Sequence, residues 1–183
     1  MRSSSDSSAV PRPTPGQRLF WYAVATRSRH EHSVARFLDR HDVETYVPLK
    51  RVWSARVDRR RQIDVPALPG YLFIRCELTP DIRATVKKAP GVVCLVSVSN
   101  QPSRIPDSQI ESLRILLQSH QEVVVLHEWT EGQSVIIRSG PIKGASGTLV
   151  RVKQDQHRLV VRIEHIGLAL SVDVHEADVE PVG

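Results

Sequence analysis

The sequence predicts an α+β protein in two parts: a portion in which strands and helices alternate, followed by a smaller portion built from strands alone. Three observations carry that prediction. Start signals for three helices all fall before residue 119, apolar residues after Gly132 alternate with polar ones in short runs, and glycines separate those runs. With 183 residues and 40% hydrophobic content, the chain has material for one ordinary domain or two small ones.

Residues 1–17 are rich in Ser and Pro and poor in large apolar groups, so burial cannot offset the entropy of ordering them, and a disordered tail is expected. The aromatic and β-branched run LFWYAVA at 19–25 predicts the first strand. A helix follows. Ser28 stands three residues before Glu31, the spacing of a capping box, and His30, Val34, Phe37, Leu38 and His41 share one helical face. Arg29, Ser33, Arg36 and Arg40 lie opposite. Residues 43–49 (VETYVPL) predict a second strand, extended by 51–54 into a charged stretch at 55–61 that reads as an exposed hairpin tip.

The run LPGYLFI at 68–74 predicts another strand, with proline tolerated near its start because that position need not donate to the ladder. Thr79-Pro80, a cap followed by a first-turn proline, opens a short helix that Pro90-Gly91 must end. Residues 92–98 read as a buried strand. After Pro106, Ser108 and Glu111 form a second capping-box spacing, and Ile110, Leu113 and Leu117 line a third helix. The order to this point is β-α-β-β-β-α-β-α. The domain therefore spans residues 18–119, and 120–129 form the linker, within which 123–126 have the composition of a short strand. In residues 130–183, Val135 and Ile137, Val150 and Val152, Leu159, Val161 and Ile163, and Leu168, Leu170, Val172 and Val174 each mark one apolar face. Four to five such strands predict a small closed β-barrel, since closure removes edges that a tiny sheet could not protect.

No apolar run approaches the ~20 residues needed to span a bilayer, and the polar N-terminus does not suit a signal peptide, so no membrane role and a cytoplasmic location are expected. Cys76 and Cys94 stand alone inside apolar stretches, without metal-ligand spacing, and are expected to be reduced and buried. The formal charge of +5 is concentrated: residues 50–61 hold Lys50, Arg51, Arg56, Arg59, Arg60 and Arg61 against the single acid Asp58. That density points to nucleic acid. Residues 130–183 carry six basic and seven acidic groups, too balanced to neutralise several phosphates, so this part should meet a protein, or nothing. The sequence holds no HExxH, GxSxG or Walker loop, so neither catalysis nor a cofactor or metal is expected.

The stretch EGQSVIIRSGPIKGASGTLVRV at 131–152 resembles a KOW motif, its glycines at 132, 140, 144 and 147 standing where positive-φ turns and close backbone approaches are needed. Upstream, Trp21-Tyr22, the LPGYLFI run at 68–74 and APGVV at 89–93 are similar to the N-terminal domain of NusG proteins. The resemblance covers residues 19–182. The basic segment and the Ser/Pro tail are closer to the specialised UpxY and RfaH kind than to housekeeping members.

The resemblance implies an N-terminal α/β sandwich, an antiparallel sheet with flanking helices, followed by a small C-terminal five-stranded KOW β-barrel. It implies a monomeric transcription elongation or antitermination factor that docks on the clamp helices of RNA polymerase. The residues matching the docking surface are Tyr22, Leu68, Pro69, Tyr71 and Phe73, aromatic anchors of the type that protein interfaces favour. Arg29, His32, Arg36 and Arg40 occupy the helix that faces non-template DNA in specialised members, and Arg56, Arg59, Arg60 and Arg61 add a site for DNA or nascent RNA. Ile166 and Gly167 match the loop that meets a small-subunit ribosomal protein or the Rho factor. Two positions depart from the pattern: Ala25 stands where RfaH-like members have an aromatic, and Ile166 also replaces an aromatic. The competing expectation is a ribosomal or general RNA-binding protein with a KOW barrel.

Overall fold

A computed structural model describes residues 18–54, 61–119, 121–126, 132–153, 156–163 and 166–182. The predicted N-terminal tail, Arg56, Arg59 and Arg60 lie outside the described residues.

The first half is built around strands β1 (Phe20–Thr26), β2 (Glu44–Tyr46), β5 (Tyr71–Cys76) and β6 (Val92–Leu95), in the spatial order β2-β5-β1-β6, with β9 (Arg104–Ile105) also paired to β1. These pairings are antiparallel. Helices α1 (Glu31–Asp39), α2 (Pro80–Lys88) and α3 (Asp107–Gln118) flank the sheet, as the α/β sandwich requires. Between β2 and β5 projects an arm of two strands, β3 (Leu49–Trp53) and β4 (Gln62–Pro66), while β7 (Ser97–Val98) and β8 (Gln101–Pro102) form a small hairpin.

Period-two alternation gives the sheet two cores. Tyr22, Val24, Leu72 and Ile74 pack with Val34, Leu38 and Val86 from α1 and α2. Trp21, Ala23, Leu68 and Phe73 face the other way and cluster with Ile110, Leu113 and Leu116 of α3.

The second half is a six-stranded antiparallel sheet in the order β10-β14-β13-β12-β11-β15, formed by β10 (Val124–Leu126), β11 (Gln133–Ile137), β12 (Ser146–Lys153), β13 (Gln156–Ile163), β14 (Leu168–Val174) and β15 (Val179–Pro181). It has one strand more than the predicted five, because β10, inside the segment assigned to the linker, pairs with β14. Two of the KOW glycines, Gly140 and Gly144, adopt positive φ, and the other two are close approaches: a Cβ on Gly147 would lie 2.5 Å from the Val160 carbonyl oxygen. The halves touch through α3. Ser112 Oγ accepts a hydrogen bond from the Ser146 backbone N–H at 2.9 Å, and Val135, Ile137, Leu159 and Leu170 join the same apolar cluster as α3.

Several local expectations are corrected. Neither capping box forms: α1 starts at Glu31 after Arg29 enters the left-handed region at φ 64°, and α3 starts beyond Pro106, with Ser108 inside its first turn. Thr79 does cap α2, accepting from the Ile82 N–H. Leu68, Pro69 and Gly70 form a turn before β5 rather than its beginning, closed by the Tyr71 N–H to the Leu68 carbonyl at 3.1 Å with Gly70 at φ +82°. Residues 92–98 are not a buried strand. Val93 and Cys94 are exposed at the sheet's edge, and only Cys76 is buried. The polar return strand β4 was absent from the predicted order because Gln62, Asp64 and Pro66 suppress strand signals.

Candidate functional site

The residues proposed to meet a polymerase divide sharply by accessibility. Tyr22, Leu68 and Phe73 are core residues, Tyr22 on the α1 side of the sheet and the other two on the α3 side. Pro69 is exposed and Tyr71 half-buried, so what reaches the surface is the turn itself. That turn is held by a distant carboxylate. Glu31, 2% exposed, accepts a hydrogen bond from the Gly70 N–H at 2.7 Å, and the Thr26 N–H donates to the Gly70 carbonyl at 2.8 Å. The charge of Glu31 is thereby committed to the backbone across 39 positions of sequence rather than to its own helix end.

Beneath the turn lies an aromatic row. Tyr46 stacks on Phe73 with centroids 6.2 Å apart and meets Trp21 edge-on at 6.3 Å. The Arg114 guanidinium of α3 covers this row, 5.3 Å from the Trp21 ring centre and 4.9 Å from that of Tyr46, a cation–π arrangement. Burial pushes the Tyr46 hydroxyl up to about 12, against a smaller lowering by Arg114.

The α1 stripe is solvent-facing: Arg29, His32, Arg36 and Arg40 are all exposed. Arg29 precedes the helix and Arg40 caps its end. The acids of this helix are turned elsewhere, Glu31 to Gly70 and Asp39 to the Thr45 hydroxyl at 2.8 Å. Among the described residues no ion pair involves Arg29, Arg36 or Arg40. In the arm, Arg61 is exposed and Arg51 pairs with Asp64 across the two strands at 3.4 Å. In the C-terminal sheet, Ile166 is buried and Gly167 is exposed at φ +67°.

Sequence reasoning passed over Trp53, which is 65% exposed at the outer end of β3. A tryptophan between charged residues, with few apolar neighbours in sequence, was the available signal. It assigned Glu31 to a capping box with Ser28, because its actual partner, the Gly70 N–H, is not local. Among the described residues no group of three His, Cys, Asp or Glu could hold a metal ion, and no helix is long and apolar enough to cross a membrane.

Residues 19–114 match the family model described as transcription termination factor nusG, more than half of the chain. The chain belongs to the NusG family. Along nearly its full length it is similar to the transcription termination/antitermination proteins NusG of Borreliella burgdorferi, at 26% identity over 88% of this chain and 98% of that one, and of Neisseria meningitidis, at 27% over 88% and 97%. A solved structure of Thermotoga maritima NusG matches 91% of this chain and 98% of its own at a TM-score of 0.52 and 21% identity, which places this NusG-family chain in the same fold.

Proposed function

We propose that this NusG-family chain is a non-enzymatic transcription elongation and antitermination factor that rides on RNA polymerase. Its N-terminal domain, residues 18–119, docks on the clamp, and its KOW domain, residues 130–183, recruits a protein partner. The observation that carries the reading is the turn at Pro69, Gly70 and Tyr71: a short apolar projection, fixed from behind by the buried Glu31 carboxylate, within a chain similar to NusG proteins over nearly its whole length. A preorganised apolar turn is suited to protein docking, since little entropy remains to be lost on contact. Tyr22, Leu68 and Phe73 support that turn from the core. The UpxY and RfaH kind is the specialised branch with which the α1 stripe agrees.

The uncompensated arginines of α1 face nucleic acid in this reading, with Arg56, Arg59, Arg60 and Arg61 on the arm adding charge near non-template DNA or nascent RNA. The near-neutral charge of the KOW domain favours a protein such as a small-subunit ribosomal protein or Rho, with Gly167 exposed and Ile166 supporting it from inside the barrel.

The test is co-purification of the full chain with core RNA polymerase, comparing wild type with Tyr71→Ala and Pro69→Glu. Wild-type association lost in both variants is the expected result. Pro69 is exposed, so Pro69→Glu removes no buried packing, and a urea midpoint equal to wild type checks that the variant is folded. Absence of wild-type association at moderate salt overturns the reading in favour of a free RNA-binding protein.

A further inference from the structure

We propose that the groove between the β3–β4 arm and the end of α3 binds single-stranded RNA, with one unstacked base resting on the Trp53 indole. This goes beyond the basic residues already assigned to nucleic acid and depends on that reading only for the sign of the arm's charge.

Trp53 is the most exposed of the large apolar side chains among the described residues and belongs to neither apolar cluster there. It pairs with Gln62 across the arm, and two residues inward on the same face Arg51 pairs with Asp64. The indole thus borders an open groove of about 600 Å³, whose walls include Lys50, Arg51 and Gln62 on the arm and Gln121 and Glu122 beyond α3. That volume lies within the range of small-ligand sites and accommodates a nucleotide.

The chemistry of the walls selects the occupant. An indole face presented beside cations is the pairing that single-stranded nucleic acid requires: the ring takes a base by stacking, and the cations take the flanking phosphates. Among the described arm residues Lys50, Arg51 and Arg61 stand against the single acid Asp64, which already serves Arg51. A duplex would not fit this role, because its bases are stacked on each other and closed to the indole.

The opposite wall favours RNA over DNA. The exposed Glu122 carboxylate lines it. An ionised carboxylate only accepts, so the occupant must bring donors. Base amino groups supply some, and the ribose 2′-hydroxyl supplies one that DNA lacks.

The experiment titrates the full chain against fluorescein-labelled oligouridine and its deoxyuridine counterpart, which differ only in the 2′-hydroxyl, at low salt. Fluorescence anisotropy reports affinity and intrinsic tryptophan emission reports stacking. Tighter binding to the RNA is expected, with quenched tryptophan emission. Trp53→Ala should weaken RNA binding by roughly tenfold and abolish the quenching, while Trp53→Phe retains most of the affinity because every aromatic face can stack. Equal affinity for the two oligonucleotides overturns the RNA assignment, and wild-type affinity in Trp53→Ala overturns the site. Polymerase co-purification is measured on the same variants. Loss of polymerase by Trp53→Ala with RNA binding intact would make the groove a protein contact and overturn the proposal, whereas retention keeps the two readings separate.

Discussion

The Glu31 carboxylate fixes backbone far from it in sequence, accepting a hydrogen bond from the Gly70 N–H. Removing a partner from a buried donor costs about 1–3 kcal/mol, so Glu31→Ala should lower the urea stability by that amount and loosen the turn, with Glu31→Gln retaining most of it as an acceptor. Hydrogen exchange of the Gly70 amide measures the second effect directly. Protonation gives a residue-scale check. Burial pushes the Cys76 thiol from 9.0 up to about 11 and the Tyr46 hydroxyl from 10.0 up to about 12. Both groups hold their proton more tightly when folded, so this contribution to stability is complete below the ordinary values and is lost as pH rises from about 9 towards 12. Urea midpoints should therefore fall across that window, and fall less in Tyr46→Phe. At this scale the sequence was a poor guide to partners: the spacing of Ser28 and Glu31 announced a cap, yet the carboxylate's donor stands 39 residues away, and only the tertiary fold brings it near.

Elements read better than partners did, and they fail where polarity and burial part company. Helix α3 was found from its Ile110 and Leu113 periodicity, but the fully buried Leu116 makes its apolar face wider than predicted. Leu116→Ala should cost about 2–5 kcal/mol in chemical unfolding, as for other large-to-small changes in a packed core. Strand β6 is the opposite case. Its apolar composition predicted burial, yet it lies at the sheet edge, where Val93 is 64% exposed and Cys94 is open to solvent. A thiol reagent should accordingly modify Cys94 in the native chain and reach Cys76 only after denaturation. Which strand stands at an edge is decided by pairing order, which composition does not encode. The arm's second strand escaped notice for the related reason that a projecting hairpin buries neither face and needs no apolar alternation.

Across the whole molecule, the division into a mixed half and an all-β half was legible because helix starts and short alternating runs segregate along the chain. Contact between the halves was not, since it joins residues distant in sequence: Val135, Ile137, Leu159 and Leu170 share an apolar cluster with α3, and Ser112 donates to the Ser108 carbonyl at 2.8 Å while accepting from the Ser146 N–H of the other half. Ser112→Ala should leave the Ser146 N–H without that acceptor and lower stability by about 1–3 kcal/mol, with faster amide exchange at Ser146. Recruitment of β10 to the C-terminal sheet has a mechanical consequence. With residues 124–126 zipped onto β14, the span between α3 and the C-terminal sheet is only five residues, 119–123, which at full extension reach about 17 Å. Three residues of ladder thus act as a length-setting clasp: with the contact through α3 released, they would ration how far the KOW module moves from whatever surface its partner domain occupies.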